Sequence, residues 1–297
     1  MRRHFAICFI AVLIAASSLA AERRDLLVST SWLAKHLQDP EVTIIDVTDS
    51  DKFGEGHIPG AKLIAIRDLV TTRDGIPNEI PDAAKLEEAF ADAGVQDKGK
   101  IIIYSRGVVS AARAFLTLDY LGRRGDCALL DGMYAKWIEE KRPVESGMKL
   151  TNLGSFKAHP DPGTIVKLDG MKTMVLAAQT AASKFAIVDA RPAEFFSAAE
   201  AGEDITRAGH IPTAINVPYA KNLTSDRNPM FRPADELRAL YRDAGVKDEA
   251  TVITYCRTGM EASVDYFALR TLGREVHLYD GSYFEWSGNK DLPVAGK

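Results

Sequence analysis

The feature that most constrains this chain is an internal repeat. Ile44-Ile45-Asp46 reappears as Ile187-Val188-Asp189, and Gly56-His57-Ile58-Pro59 as Gly209-His210-Ile211-Pro212. Leu121-Gly122-Arg123 matches Leu272-Gly273-Arg274, and Asp131-Gly132 with Trp137 matches Asp280-Gly281 with Trp286. The spacing is 143 residues for Asp46/Asp189, then 153 for His57/His210, 151 for Ser105/Cys256 and 149 for Asp131/Asp280. So steady a period marks two homologous domains, and 297 residues at about 150 per domain agree. The jump from 143 to 153 locates an insertion of ten residues in the second copy, around Ala198 to Thr206. Pro143 to Gly163, rich in proline and glycine, reads as the connection. The boundaries that follow are domain 1 over 21–145, a linker over 146–163 and domain 2 over 164–297.

Each copy has the same local grammar. A short apolar run (Val42 to Val47; Ala186 to Ala190) precedes an amphipathic helix (Ala83 to Ala93; Ala234 to Ala244). A buried-type strand follows (Lys100 to Tyr104; Thr251 to Tyr255) and runs into another helix, from Ala111 or Ala262 onward. β-branched strands alternating with helices imply βαβ units and a mainly parallel sheet, so the fold class is α/β, twice over.

The first twenty residues read as an export signal rather than as part of either domain. A basic start (Arg2, Arg3) leads into the apolar run Phe5 to Ala16, and Ser18-Leu19-Ala20 supplies a small-x-small cleavage site. This places the mature chain in the periplasm or outside the cell, with no membrane association after cleavage. The net charge is −4, so no basic surface invites nucleic acid. Of the three cysteines, Cys8 leaves with the signal, and Cys127 and Cys256 fall in different domains, so no disulfide is expected.

What both copies share reads as scaffold. His57 and His210 stand before Ile-Pro in both halves, one of which has no thiol, and so read as turn residues. Asp46 and Asp189 read as structural strand ends, the Asp-Gly pairs as turns and the tryptophans as core. The copies diverge at one loop, Ser105-Arg106-Gly107-Val108-Val109-Ser110 against Cys256-Arg257-Thr258-Gly259-Met260-Glu261. A loop between a parallel strand and a helix turns successive N–H groups toward one point, a nest for anions. A cysteine there should have its thiolate stabilised and its pKa lowered, with Arg257 adding charge and Gly259 allowing the tight turn. An inert buried cysteine would need neither.

Several cysteine chemistries do not fit. A phosphatase loop needs arginine six positions after the nucleophile, where this chain has Ala262; a redox pair needs a second cysteine at position 259, which is Gly259. No unpaired histidine announces a Cys–His protease. What remains is a lone thiolate suited to taking up a sulfur atom as a persulfide.

These residues resemble the tandem-domain rhodaneses, the thiosulfate and 3-mercaptopyruvate sulfurtransferases. Phe53-x-x-x-His57-Ile58-Pro59-Gly60-Ala61 is similar to that family's amino-terminal signature, and Val276 to Trp286 to its carboxy-terminal one. The resemblance implies two α/β domains of which only the second is catalytic. It also implies ping-pong transfer through Cys256, no metal or organic cofactor, and a small anionic donor whose sulfur passes to a thiol, cyanide or a protein acceptor. The implied substrate-binding residues are Arg257, Thr258, Gly259, Met260 and Glu261. Two departures stand out: Phe195 occupies the place of a substrate-binding arginine, and Glu261 stands where threonine is common. Arg191 and Arg207, absent from the first copy, are the candidates to compensate. Arg257 makes thiosulfate the leading donor and 3-mercaptopyruvate the second; a low-turnover sulfur carrier or persulfide-binding module is the alternative function.

Overall fold

The computed structural model describes residues 26–148, 152–180, 182–225 and 229–296. The export signal lies outside them. In the first copy the order is β1 (Leu27–Val28), α1 (Thr30–Lys35), β2 (Val42–Val47), α2 (Ser50–Glu55) and β3 (Lys62–Ile64). A hairpin follows, β4 (Thr71–Arg73) and β5 (Ile76–Glu79). The copy closes with α3 (Ala83–Asp92), β6 (Lys100–Tyr104), α4 (Val108–Tyr120), β7 (Cys127–Leu130) and α5 (Met133–Glu139). The second copy begins with β8 (Ile165–Val166), α6 (Leu168–Ala178), β9 (Phe185–Asp189), α7 (Ala193–Phe196) and β10 (Ile215–Asn216). It continues through α8 (Ala234–Asp243), β11 (Thr251–Tyr255), α9 (Ala262–Thr271), β12 (Val276–Tyr279) and α10 (Ser282–Gly288).

Each copy is a five-stranded parallel sheet, ordered β1-β7-β6-β2-β3 in the first and β8-β12-β11-β9-β10 in the second. The orders are the same once each strand is matched to its repeat. The central strands β6 and β11 are almost wholly buried, as strands covered by helices on both faces must be. Trp137 and Trp286 are fully buried in matching places, and their indole N–H groups donate to the carbonyls of Pro143 (2.7 Å) and Pro293 (2.8 Å). His57 stacks on Phe53 and His210 on Phe196, each with Nδ1 on that phenylalanine's carbonyl; their role is structural, as the repeat argued, but each sits in a β-bridge, to Glu145 and Ala295, rather than in a turn.

The copies pack through α4 and α9, with Phe115 edge-on to Phe267 at 4.8 Å, and one apolar cluster runs through both. The contact is reciprocal. The Asp280 carboxylate accepts the Ile80 N–H (3.0 Å), and the Asp131 carboxylate accepts the N–H of Phe231, the repeat of Ile80 (3.2 Å). The connecting segment is tied to the first copy: Phe156 is buried against Phe90, and His159 and Asp161 donate their N–H groups to the carbonyls of Leu121 and Tyr120.

The expected start of the first post-loop helix needs correction. It begins at Val108 rather than Ala111. Gly107 caps it in extended backbone, so the chain winds at once into helix where the second copy still forms a loop.

Candidate active site

Strand β11 ends in the buried Tyr255 and delivers Cys256 to the carboxyl edge of its sheet, where a parallel sheet presents ligand sites. Residues 257–261 then turn around the sulfur before α9 begins. Gly259 makes that turn with φ +81°, in the left-handed region, and a Cβ there would meet the Asp280 carbonyl oxygen at 3.2 Å. The Cys256 carbonyl accepts the Tyr283 N–H at 3.0 Å, which fixes the loop's entry to α10. Thr258 is buried and its Oγ1 accepts from the side chain of Asn78 in the first copy (3.0 Å), while Met260 is half-buried at the rim.

The sulfur sits in a nest of amides: the N–H groups of Ala262, Thr258 and Gly259 reach it. Its thiol is nevertheless pushed up, to about 11, not down. Cys256 is 1% exposed, so burial penalises the thiolate most, and the negative Glu261 adds to the penalty. The amides recover only part of this. Arg257 gives little help, because it turns outward, donating to the Glu203 carbonyl (3.2 Å) with the Glu203 carboxylate 3.7 Å away. Glu203 belongs to the insertion that only the second copy carries. Glu261 itself is raised, first by burial and then by Asp189, against the pull of Arg257 and Arg191.

The two compensating arginines have other partners. Arg207 is a correction: it does not serve the loop. Its guanidinium donates to the carbonyls of Ser287 (2.8 Å), Leu292 (2.7 Å), Trp286 (3.1 Å) and Asn289 (2.7 Å), satisfying the C-terminal end of α10. Arg191 is buried, gripping Asp189 through Nε and Nη2 (3.0 and 2.6 Å) and lying 4.0 Å over the Tyr283 ring. Its Nη1 is buried without a hydrogen-bond partner among the described residues. Phe195 is half-buried beside Gly202 of the insertion.

Three residues not among the expected site residues stand at the loop. Arg113, on α4 of the first copy, is fully buried and donates from Nη1 to the Gly259 carbonyl (3.3 Å) and from Nη2 to the Asn78 carbonyl (2.7 Å). Asn78 bonds Thr258, as above. Asp280, expected to be a turn residue, accepts from Ile80 and from Lys167 Nζ (2.9 Å) and lies 3.5 Å from Arg113.

A single buried cysteine in the loop between a parallel strand and a helix, in a domain repeated without that cysteine, defines a class of two-domain α/β proteins. The chain belongs to the rhodanese-like family: the Rhodanese-like domain model matches it twice, over residues 29–140 and 173–289. It is 32% identical over 280 residues to the 3-mercaptopyruvate sulfurtransferase of Escherichia coli K12, covering 90% of this chain and 96% of that one. It is 33% identical over 286 residues to the sulfur carrier protein TtuD of Thermus thermophilus, covering 91% and 96%. The crystal structure of SseA from Escherichia coli, a 3-mercaptopyruvate sulfotransferase, superposes with a TM-score of 0.76 at 32% identity, over 86% of this chain and 98% of that one.

Proposed function

We propose that Cys256 carries sulfur as a persulfide from a thiol-bearing 2-oxo acid, 3-mercaptopyruvate, to a thiophilic acceptor. The chain is a sulfurtransferase of the 3-mercaptopyruvate/thiosulfate type. The observation that carries the persulfide reading is the position of the Cys256 sulfur within reach of three backbone N–H groups. The thiolate attacks the donor's thiol sulfur and the donor C–S bond breaks. Its electron pair leaves with the carbon as the enolate of pyruvate, which takes up a proton. An acceptor thiolate or cyanide then attacks the outer sulfur, and the S–S pair returns to Cys256.

Electrostatics favours this donor over thiosulfate. Thiosulfate is a dianion, and the nest already contains Glu261. Arg207 is engaged elsewhere, Arg191 is neutralised by Asp189, and Arg257 leans toward Glu203. A monoanion is opposed less, and the loop amides remain to receive its charge. Steady-state comparison of the two donors with cyanide as acceptor tests the reading. At least a tenfold higher kcat/KM for 3-mercaptopyruvate is expected, and a preference for thiosulfate overturns the donor assignment. Intact-mass measurement after donor exposure tests the persulfide. A retained sulfur that small thiols cannot remove would favour the carrier reading instead. Export completes the proposal, with the mature chain expected to start at Ala21 on N-terminal sequencing of protein recovered from the periplasm.

A further inference from the structure

The two copies meet across a nearly symmetric interface, and at one place the symmetry fails. Asp131 and Asp280 take equivalent amides, and α4 packs on α9. Arg113 has no equivalent: at the spacing of 151 that relates Leu121 to Leu272, its counterpart is Val264. An arginine needed only to join two like halves has no reason to appear in one of them. Arg113 is 0% exposed, its Nε has no partner among the described residues, and its Nη1 reaches the carbonyl of Gly259. That carbonyl also accepts the Ser263 hydroxyl at 3.0 Å. With Asn78 holding Thr258, the first copy thereby grips both middle residues of the loop, whose N–H groups reach the sulfur.

We propose that Arg113 is a positioning residue for Cys256: from the domain that lacks the thiol, it fixes the Gly259 peptide and supplies a buried positive charge to the nucleophile's surroundings. The charges that meet it there are Asp280 at 3.5 Å, the Cys256 thiolate when formed, and Glu79. Lys167 bridges Glu79 (2.8 Å) and Asp280 (2.9 Å), so those carboxylates are shared and the guanidinium is not fully neutralised by them. Facing them across the sulfur are Glu261 and the amides. The inference rests on the persulfide reading only in giving the thiolate a task; its own readout is the thiol's ionisation.

The test uses the full chain with Cys8→Ser and Cys127→Ser, so that Cys256 alone reports, and follows iodoacetamide alkylation against pH. Arg113→Met should move the midpoint upward and slow alkylation at neutral pH by about tenfold, one unit of pKa, with the circular dichroism spectrum unchanged. Arg113→Lys, which keeps the charge, should recover most of the rate. An unmoved midpoint in folded Arg113→Met overturns the proposal. If that variant fails to fold, Asp280→Asn supplies the opposite sign: with less countercharge on Arg113 the midpoint should fall, and a rise or no change overturns the proposal. Failure of the parent chain to gain sulfur from 3-mercaptopyruvate would sink the functional reading while leaving the alkylation result intact.

Discussion

The segments Ser105–Ser110 and Cys256–Glu261 have the same length and follow equivalent strands, yet the last three residues of the first already belong to α4, and only the second makes a nest. In the first copy an arginine from the loop itself, Arg106, folds back over the Tyr134 ring at 3.6 Å, donates to the Lys52 carbonyl (2.8 Å) and approaches Asp46 to 3.9 Å. In the second copy the same stack on the equivalent Tyr283 and the same aspartate, now Asp189, are taken by Arg191 from a different segment. Arg257, the counterpart of Arg106, is thereby released toward the rim. The segment whose arginine turns outward stays a loop around the buried Cys256; the segment whose arginine turns inward winds into helix three residues sooner. One exchanged arginine thus separates the two cradles.

The largest expected effect tests whether the thiol alone makes the difference. Cys256→Ser should abolish both persulfide formation and transfer. Adding Ser105→Cys to that variant should restore neither, because α4 starts at Val108 and, among the described residues, the one loop amide that bonds the Ser105 hydroxyl is that of Gly107 (3.2 Å). Intact mass after donor exposure decides it; any sulfur gained at position 105 would break the comparison.

Next is the glycine that each loop carries. Gly259→Ala forces a side chain into left-handed backbone, at about 1–2 kcal/mol, and against the Asp280 carbonyl. Transfer should fall roughly tenfold or more, since a catalytic group displaced by a fraction of an ångström loses its alignment. Gly107→Ala meets nothing within 4 Å and has ordinary extended backbone, so it should leave stability and transfer unchanged. Denaturant melts and kcat/KM for the pair give the contrast.

These contrasts also show what the sequence can and cannot reveal. Strands β2, β6 and β11 fall within the apolar runs that announce them, because alternation of buried strands and helices is a local signal. The start of α4 escapes the pattern because it turns on the backbone of one residue, Val108 against Gly259. Arg113, Asn78 and Asp280 escape it because their partners lie 146, 180 and 200 residues away in the chain. A signal exists for Arg113: it is the one charge in the run Val108 to Leu118, and its repeat is valine. Looking for unrepeated residues outside the loop finds it. Arg207 reads as a ligand for the opposite reason, since nothing local shows that a helix end more than 75 residues away needs its donors.

A smaller effect is expected from the carboxylate that replaces Ser110. Glu261 disfavours the Cys256 thiolate, so Glu261→Gln should lower the thiol's midpoint from about 11 and speed alkylation at neutral pH several-fold. In the parent chain the alkylation rate should keep rising with pH above 9. A slower reaction in the glutamine variant would show that the carboxylate aids deprotonation.

The smallest effect on transfer, none, belongs to Asp46, which concerns only the first copy's cradle. Burial pushes its carboxyl up to about 6, and Arg106 recovers part of the cost. In the unfolded chain the group ionises near 3.8. Between those values the native state binds more protons than the unfolded one, so stability is fully present below pH 4 and is lost as pH rises through 6. Asp46→Asn keeps the uncharged form at every pH. It should stabilise the chain at pH 7 by about 2–3 kcal/mol, leave it unchanged at pH 4 and not alter transfer. Asp189→Asn should do the reverse, destabilising at pH 7 by leaving Arg191 buried without its carboxylate. Urea melts at the two pH values measure both. If the two substitutions shifted stability in the same direction, the equivalent aspartates would share one role, and the exchange of Arg106 for Arg191 would not be what distinguishes the copies.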